Sequence, residues 1–500
     1  MILSRITRMK QQLILLVGCL GLLTSCNQPN TTESSSASTS SVPSSIESLS
    51  SSEVASTVPD LETSSVSVPH TTIDDNSPYI VEIPEGELVS SAPSEEIIYQ
   101  TGEIFDVPSY EEHVTFIEDD YHGNPSDFSL SIAKFAFALN SNHYKESASA
   151  FFAQTSFEHV VHHYNYNEGE CSYCFATREM NGFYLVTVTQ IGIGYNVEWA
   201  DNVYLGESGD HAGLKMEAEY LLSALESYVT PYLAKDVKIL FTGYSKGAAV
   251  SSLAAKYLYQ NPFDGFNKDH IYAYCFNGPL CSEDASNLPF VHDIFNHEDF
   301  ISSVIPSQYG LYHVGVMHDI GDPEHFAAYI QKHYPDQDIP VFTPSEGFEN
   351  VPNTTASLLS ILLDPFPEEA NLSLQSRVDF ARIVEPGLRV LMRILMRFGM
   401  DYLADQLSNV EDALPILIMA TLSEASFRSN IKKLLNQLSL PYTHAEIDSL
   451  AEYLYPLLSK IIRYRRNEVM AMKDAISNNL AYIARQHFPT TTLAYLLESH

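Results

Sequence analysis

The chain has 500 residues, in which 63 Asp and Glu outnumber 27 Lys and Arg for a formal net charge of −36. Nucleic acid and anionic membrane surfaces are bound through accumulated cationic charge, so a general basic binding face is excluded and no nucleic-acid partner is expected. The length allows one large folded domain with an insertion.

Three cations (Arg5, Arg8, Lys10) precede an apolar run from Leu13 to Leu23, followed by Leu23-Thr24-Ser25-Cys26. This is the layout of an export signal over residues 1–25. The run of about eleven residues is too short to span a bilayer. Leu, two small residues and Cys resembles the bacterial lipobox, which implies acylation of Cys26 and anchoring at the extracytoplasmic face of the cell membrane. From Asn30 to Thr72 the chain is almost entirely Ser and Thr with scattered Glu, Pro and Val. Too few large apolar side chains are present to offset the entropy of ordering it, so residues 26–100 read as a flexible stalk. As a coil the Asn30–Thr72 stretch alone would hold a domain roughly 35–40 Å from its anchor. Tyr79–Ile83 reads either as a strand or as more linker.

The folded part then alternates. Asp127–Leu139 has helical periodicity with Asp127 as the expected cap, and Phe183–Gln190 is a β-branched and aromatic strand that runs into Gly192 and Gly194. His211-Ala212-Gly213 opens a helix reaching Tyr228. A strand at Val237–Thr242, a helix at Ala248–Tyr259, and strands at His270–Phe276, Phe290–Asn296 and His313–Asp319 follow. Strands alternating with helices predict a mainly parallel sheet covered on both faces, an α/β fold.

Between the Val237 strand and the Ala248 helix lies Gly243-Tyr244-Ser245-Lys246-Gly247. A G-x-S-x-G at a strand–turn–helix junction is a nucleophile elbow: the glycines permit the sharp turn, and Ser245 is held exposed on strained backbone. The amide of the next residue, Lys246, faces the developing oxyanion. A serine hydroxyl needs a base, and the base needs an orienting acid. Asp299, just past the C-terminal edge of the Phe290 strand, is placed to be that acid; its bland alternative is a helix-capping Asp.

These pieces resemble the class 3 lipase family of α/β-hydrolases, specifically a bacterial lipoprotein branch with a long helical insertion. The resemblance rests on Glu198-Trp199-Ala200-Asp201-Asn202, His211-Ala212-Gly213, Thr242-Gly-Tyr-Ser-Lys-Gly-Ala-Ala-Val250, Phe276-Asn277-Gly278-Pro279 and Asn296-His-Glu-Asp-Phe-Ile301, in the family's order. It implies a surface serine hydrolase of carboxylic esters, acyl or lipid, working through an acyl-enzyme without metal or cofactor. Where the family writes F-R-G-T, this chain has Gln190-Ile191-Gly192-Ile193, so the first oxyanion donor would be a backbone amide near Ile193. Tyr244 stands in place of the usual His.

Two histidines fit the base. His487, in His487-Phe-Pro-Thr-Thr-Thr-Leu-Ala-Tyr-Leu496, resembles the family's H-x-P-x-x-x-L ending and is the expected base, and His325 in Asp322-Pro-Glu-His325 is the alternative. His313 reads as a core histidine near the site's edge. With His487 as base, the core spans 101–345 and resumes at 487–500, and residues 346–486, helical in periodicity throughout, form an inserted cap. A rival reading is a surface binding or adhesion lipoprotein that keeps the fold without turnover. Oligomeric state is left open. Beyond Cys19 and Cys26, four cysteines remain: Cys171 and Cys174, with His162 and His163 upstream, could be half of a zinc site, and Cys275 and Cys281 could form a local bridge; buried thiols are the alternative for both pairs.

Overall fold

The computed structural model describes residues 85–101, 111–142, 145–164, 167–191, 197–335, 363–399, 402, 423–468, 471, 479, 482–483 and 485–498. The export signal, Cys26, most of the stalk, Tyr79–Ile83 and Ile193 lie outside the described residues. No helix among the described residues is long and apolar enough to cross a membrane.

A two-stranded antiparallel pair, β1 (Ser94–Gln100) and β2 (Glu111–Ile117), precedes the main body. Helices α1 (Leu130–Ser141) and α2 (Lys145–Phe152) lead into a seven-stranded sheet in sequential order. It comprises β3 (Glu158–His163), β4 (Ser172–Glu179), β5 (Tyr184–Ile191), β6 (Val237–Tyr244), β7 (Ile271–Phe276), β8 (Leu288–Phe295) and β9 (Gly315–Asp319). The first three strands pair antiparallel and β5 to β9 pair parallel, so the sheet is mixed with a parallel majority. Helix α3 (Ala212–Val229) joins β5 to β6, α4 (Lys246–Gln260) joins β6 to β7, and α5 (Pro323–His333) follows β9.

The strands alternate their side chains between two cores, as the period of two requires. Ile239, Phe241, Ile271, Ala273 and Cys275 join α3 and α4 in one cluster. Leu240, Tyr272, Tyr274 and Phe276 join α1, α5 and residues 493–496 in the other. Burial on both faces explains why β6 and β7 are almost continuously apolar.

The remaining described helices, α6 (Arg377–Ile383), α7 (Glu385–Leu395), α8 (Glu424–Gln437) and α9 (His444–Tyr464), build a third core. That core takes in Trp199 and Ala200 from the 3-10 turn Val197–Val203, which ties the helical region to the loop after β5. Arg377, itself buried, fastens the same region further: its guanidinium donates to the carbonyls of Gly206 (2.8 Å), Gly209 (2.6 Å), Asp210 (3.1 Å) and Leu205. The last helix, α10 (Pro489–Glu498), returns to the sheet and buries Leu493 to Leu496 beside α1 and α5. The architecture is that of an α/β-hydrolase with a large helical cap region.

Several local expectations need correction. Ser129, not Asp127, caps α1, its hydroxyl accepting from the amide of Ile132. Strands β1 to β4 were not expected. In β1 only Ile97 and Tyr99 are buried among acids, so the alternation is too brief to stand out; β4 is buried on both faces almost throughout and so lacks the alternation that would mark it. Cys171 lies in one sheet core and Cys174 in the other, three residues apart on an extended chain, so they face opposite ways and cannot hold one ion. Cys275 and Cys281 are free and buried, without the local bridge.

Candidate active site

Gly243, next to last in β6, packs so closely that an added Cβ would lie 2.1 Å from the carbonyl oxygen of Gly247. Only glycine lets the strand turn directly into α4. Ser245, at the turn, has φ 57° and ψ −124°, a conformation that costs a non-glycine residue about 1–3 kcal/mol. Its amide donates to the carbonyl of Phe276 at 2.8 Å, which helps hold the strained residue in place. Strand β6 thus presents the half-buried hydroxyl of Ser245 at the C-terminal edge of the sheet.

At the same edge the chain leaves β8 through Asn296 and reaches Asp299, which is fully buried. One carboxylate oxygen accepts from the amide of Ile301 at 2.9 Å and caps the short 3-10 helix Phe300–Ser303. The other meets Nδ1 of His487 at 2.6 Å. One oxygen therefore caps the helix while the other contacts the imidazole. Nε2 of His487 in turn lies 2.8 Å from Oγ of Ser245. A carboxylate can only accept, so it fixes the proton on Nδ1 and leaves Nε2 free to accept from the serine hydroxyl. The imidazole neighbours the rings of Tyr244 (centroids 5.6 Å apart) and Phe300 (6.1 Å). Such a chain of contacts can draw the proton from a hydroxyl as it attacks an electrophilic carbon.

His325 is not part of this constellation. It lies in the first turn of α5, with Nε2 3.6 Å from Asp322. His313 is half-buried and burial holds its pKa below the usual histidine range, with Asp293 opposing; that suits a core histidine.

Behind the elbow lies a buried group of charges that sequence reasoning missed. The Lys246 side chain turns inward and forms an ion pair with Glu217 of α3 at 2.6 Å. Glu198 and Asp201 are buried nearby. Burial pushes Glu217 up to about 8 against the pull of Lys246, and burial pushes Asp201 up to about 6 against the amide of Gly169. Burial also works against the Lys246 charge, but Glu217 and Glu198 outweigh it and keep its pKa above the ordinary value. Burial is the larger cause of both upward shifts, and the neighbouring Asp201 and Glu198 carboxyls add to it at Glu217. Lys246, a cation directly after the serine, was the available signal, and Glu217 had none beyond its place on the apolar side of a helix.

Residues 198–309 match the family described as Lipase (class 3). The matched segment contains Ser245 and Asp299; His487 lies beyond it. Among solved structures, the chain is similar to a native Rhizomucor miehei lipase propeptide complex at 15% identity, over 40% of this chain and 71% of that one, with a TM-score of 0.31. It is similar to a lipase from Rhizopus microsporus var. chinensis at 14% identity, over 48% and 85%, with a TM-score of 0.31. Lipase II from Rhizopus niveus gives 14% identity over 41% and 80%, with a TM-score of 0.28. No curated protein matches the chain.

Proposed function

We propose that the protein is a serine hydrolase of carboxylic esters, with acyl or lipid esters as substrates, displayed outside the cell on a lipid anchor at Cys26. The observation that carries the reading is the continuous hydrogen-bonded chain from Ser245 through His487 to Asp299, at 2.8 and 2.6 Å, on a strained elbow. The class 3 lipase match over residues 198–309 supports the ester class.

In this reading Oγ of Ser245 attacks the ester carbonyl while Nε2 of His487 takes its proton. The buried carboxylate of Asp299 stabilises the imidazolium that forms. The backbone amide of Lys246, first in α4, and a second near Ile193 donate to the oxyanion. Collapse of the tetrahedral intermediate expels the alcohol, which receives the proton from His487. Water, activated by the same base, then releases the acyl group from Ser245.

Labelling with a fluorophosphonate probe tests this. The folded parent and the His325→Ala variant should label, and Ser245→Ala and His487→Ala should not. A folded parent that never labels would overturn the enzymatic reading in favour of a binding lipoprotein. Retention of label on membranes, lost in a Cys26→Ser variant, tests the anchor.

A further inference from the structure

The base is carried by a segment 188 residues beyond the acid, and among the described residues no strand of the sheet holds that segment in register. A network of buried polar side chains does so. The hydroxyl of Tyr244, immediately before the serine, donates to the backbone carbonyl of His487 at 2.9 Å. Having spent its one proton there, it accepts from Thr492 Oγ1 at 3.1 Å and from Nδ2 of Asn277 at 3.0 Å. The second proton of that amide reaches Thr492 Oγ1 at 2.6 Å. Oδ1 of Asn277 accepts the amide of Asn296 at 3.1 Å, and Asn296 donates through Nδ2 to the carbonyl and side chain of Gln486 at 3.2 and 2.8 Å. The carbonyl of Asn296 accepts the amide of Asp299 at 2.8 Å.

Asn277, Asn296 and Thr492 are fully buried, and Asn277 adopts φ 52°. The network therefore joins the chain neighbours of nucleophile, acid and base, and both protons of each asparagine amide are used. In a dry setting each such bond is strong, and an orphaned partner is costly.

We infer that Tyr244, with Asn277 and Thr492 behind it, is a positioning residue that fixes the backbone of His487 so that its imidazole bridges Ser245 and Asp299. The inference rests on the hydrolase reading of that site for its kinetic consequences. Tyr244→Phe removes one oxygen and leaves the carbonyl of His487 without its donor, so the segment between Gln486 and α10 is free to shift. Misplacement of a base by about 1 Å lowers turnover by up to roughly 100-fold.

The test uses Tyr244→Phe and Thr492→Val, with Tyr257→Phe as a control whose hydroxyl contacts Asp210, away from the site. Turnover of a short soluble ester, counted per fluorophosphonate-labelled site, should fall about 10- to 100-fold in the first two with KM unchanged. The control should match the parent. The low-field proton NMR signal of His487 Nδ1–H reports the same geometry without turnover, and it should shift or broaden in the first two variants alone. Folded variants with parental turnover and an unchanged signal would overturn the inference, as would a change confined to KM. An unreactive parent whose signal is still lost in Tyr244→Phe would overturn the enzymatic reading and uphold the positioning.

Discussion

Nε2 of His487 lies 2.8 Å from Oγ of Ser245 although 242 residues separate them. Nothing local in the sequence dictates that distance. It results from β6, which delivers the serine to the sheet edge, and from α10, whose buried face returns the C-terminal segment to the same edge.

Asp299→Asn keeps the size of the side chain and its cap on Ile301, but an amide no longer selects the Nδ1-protonated tautomer. Turnover per folded molecule should fall about 10⁴-fold while thermal unfolding changes little. Steady-state kinetics on the purified variant check this, and near-parental turnover would remove Asp299 from the mechanism.

Ser245→Gly should abolish labelling and raise stability. Glycine occupies φ 57° without strain. Relief of about 1–3 kcal/mol outweighs the loss of about 0.5–1 kcal/mol from a freer unfolded chain, so urea unfolding should shift upward by about 1 kcal/mol.

The buried acids behind the elbow give stability a pH dependence of definite sign. Asp201 and Glu217 rise in the folded state from 3.8 to about 6 and from 4.5 to about 8. Between those limits the folded protein binds more protons than the unfolded chain, so these groups favour folding fully below pH 4 and lose that contribution as the pH rises through 6 and 8. Melting temperature measured from pH 5 to 9 should decline across this window. Glu217→Gln, neutral at every pH, should flatten the upper part of the decline; an unchanged slope would show that Glu217 does not titrate there.

Arg377→Met leaves the carbonyls of Gly206, Gly209 and Asp210 without their charged donor. The loss should be about 1.5–3 kcal/mol in chemical denaturation, largely independent of salt because the group is buried. Arg377→Lys should not recover it, because an ammonium cannot span carbonyls arranged around a planar fork.

The parallel strands from β5 onward, the helices between them and the elbow were legible because each is a local signal: β-branched runs, helical spacing, and glycines flanking a serine. The nearness of Asp299 and His487 to Ser245 matches an expectation drawn, for Asp299, from its place after a strand and, for His487, from a resemblance in the residues that follow it; their roles are those of the proposed hydrolase. The antiparallel strands β3 and β4 were not legible, because neither shows an alternating apolar pattern, and the half-site that Cys171 and Cys174 offered is ruled out by the pleat, which sends the two cysteines to opposite faces. The network that joins Tyr244, Asn277, Asn296 and Gln486 was not legible for a different reason: each is an ordinary polar residue in sequence, and only the tertiary fold makes them neighbours.

The return of the C-terminal segment also bears on the order in which the molecule matures. Closing a loop of this length costs little extra per added residue, but it cannot be rewarded until α10 has a formed sheet edge to bury against. During refolding the elbow and the β6–β7 pairing should be in place before the base arrives. A population would then exist with native-like strands and an inert serine. Reactivity toward a fluorophosphonate should lag the recovery of secondary structure, making covalent capture a clock for the last step of folding.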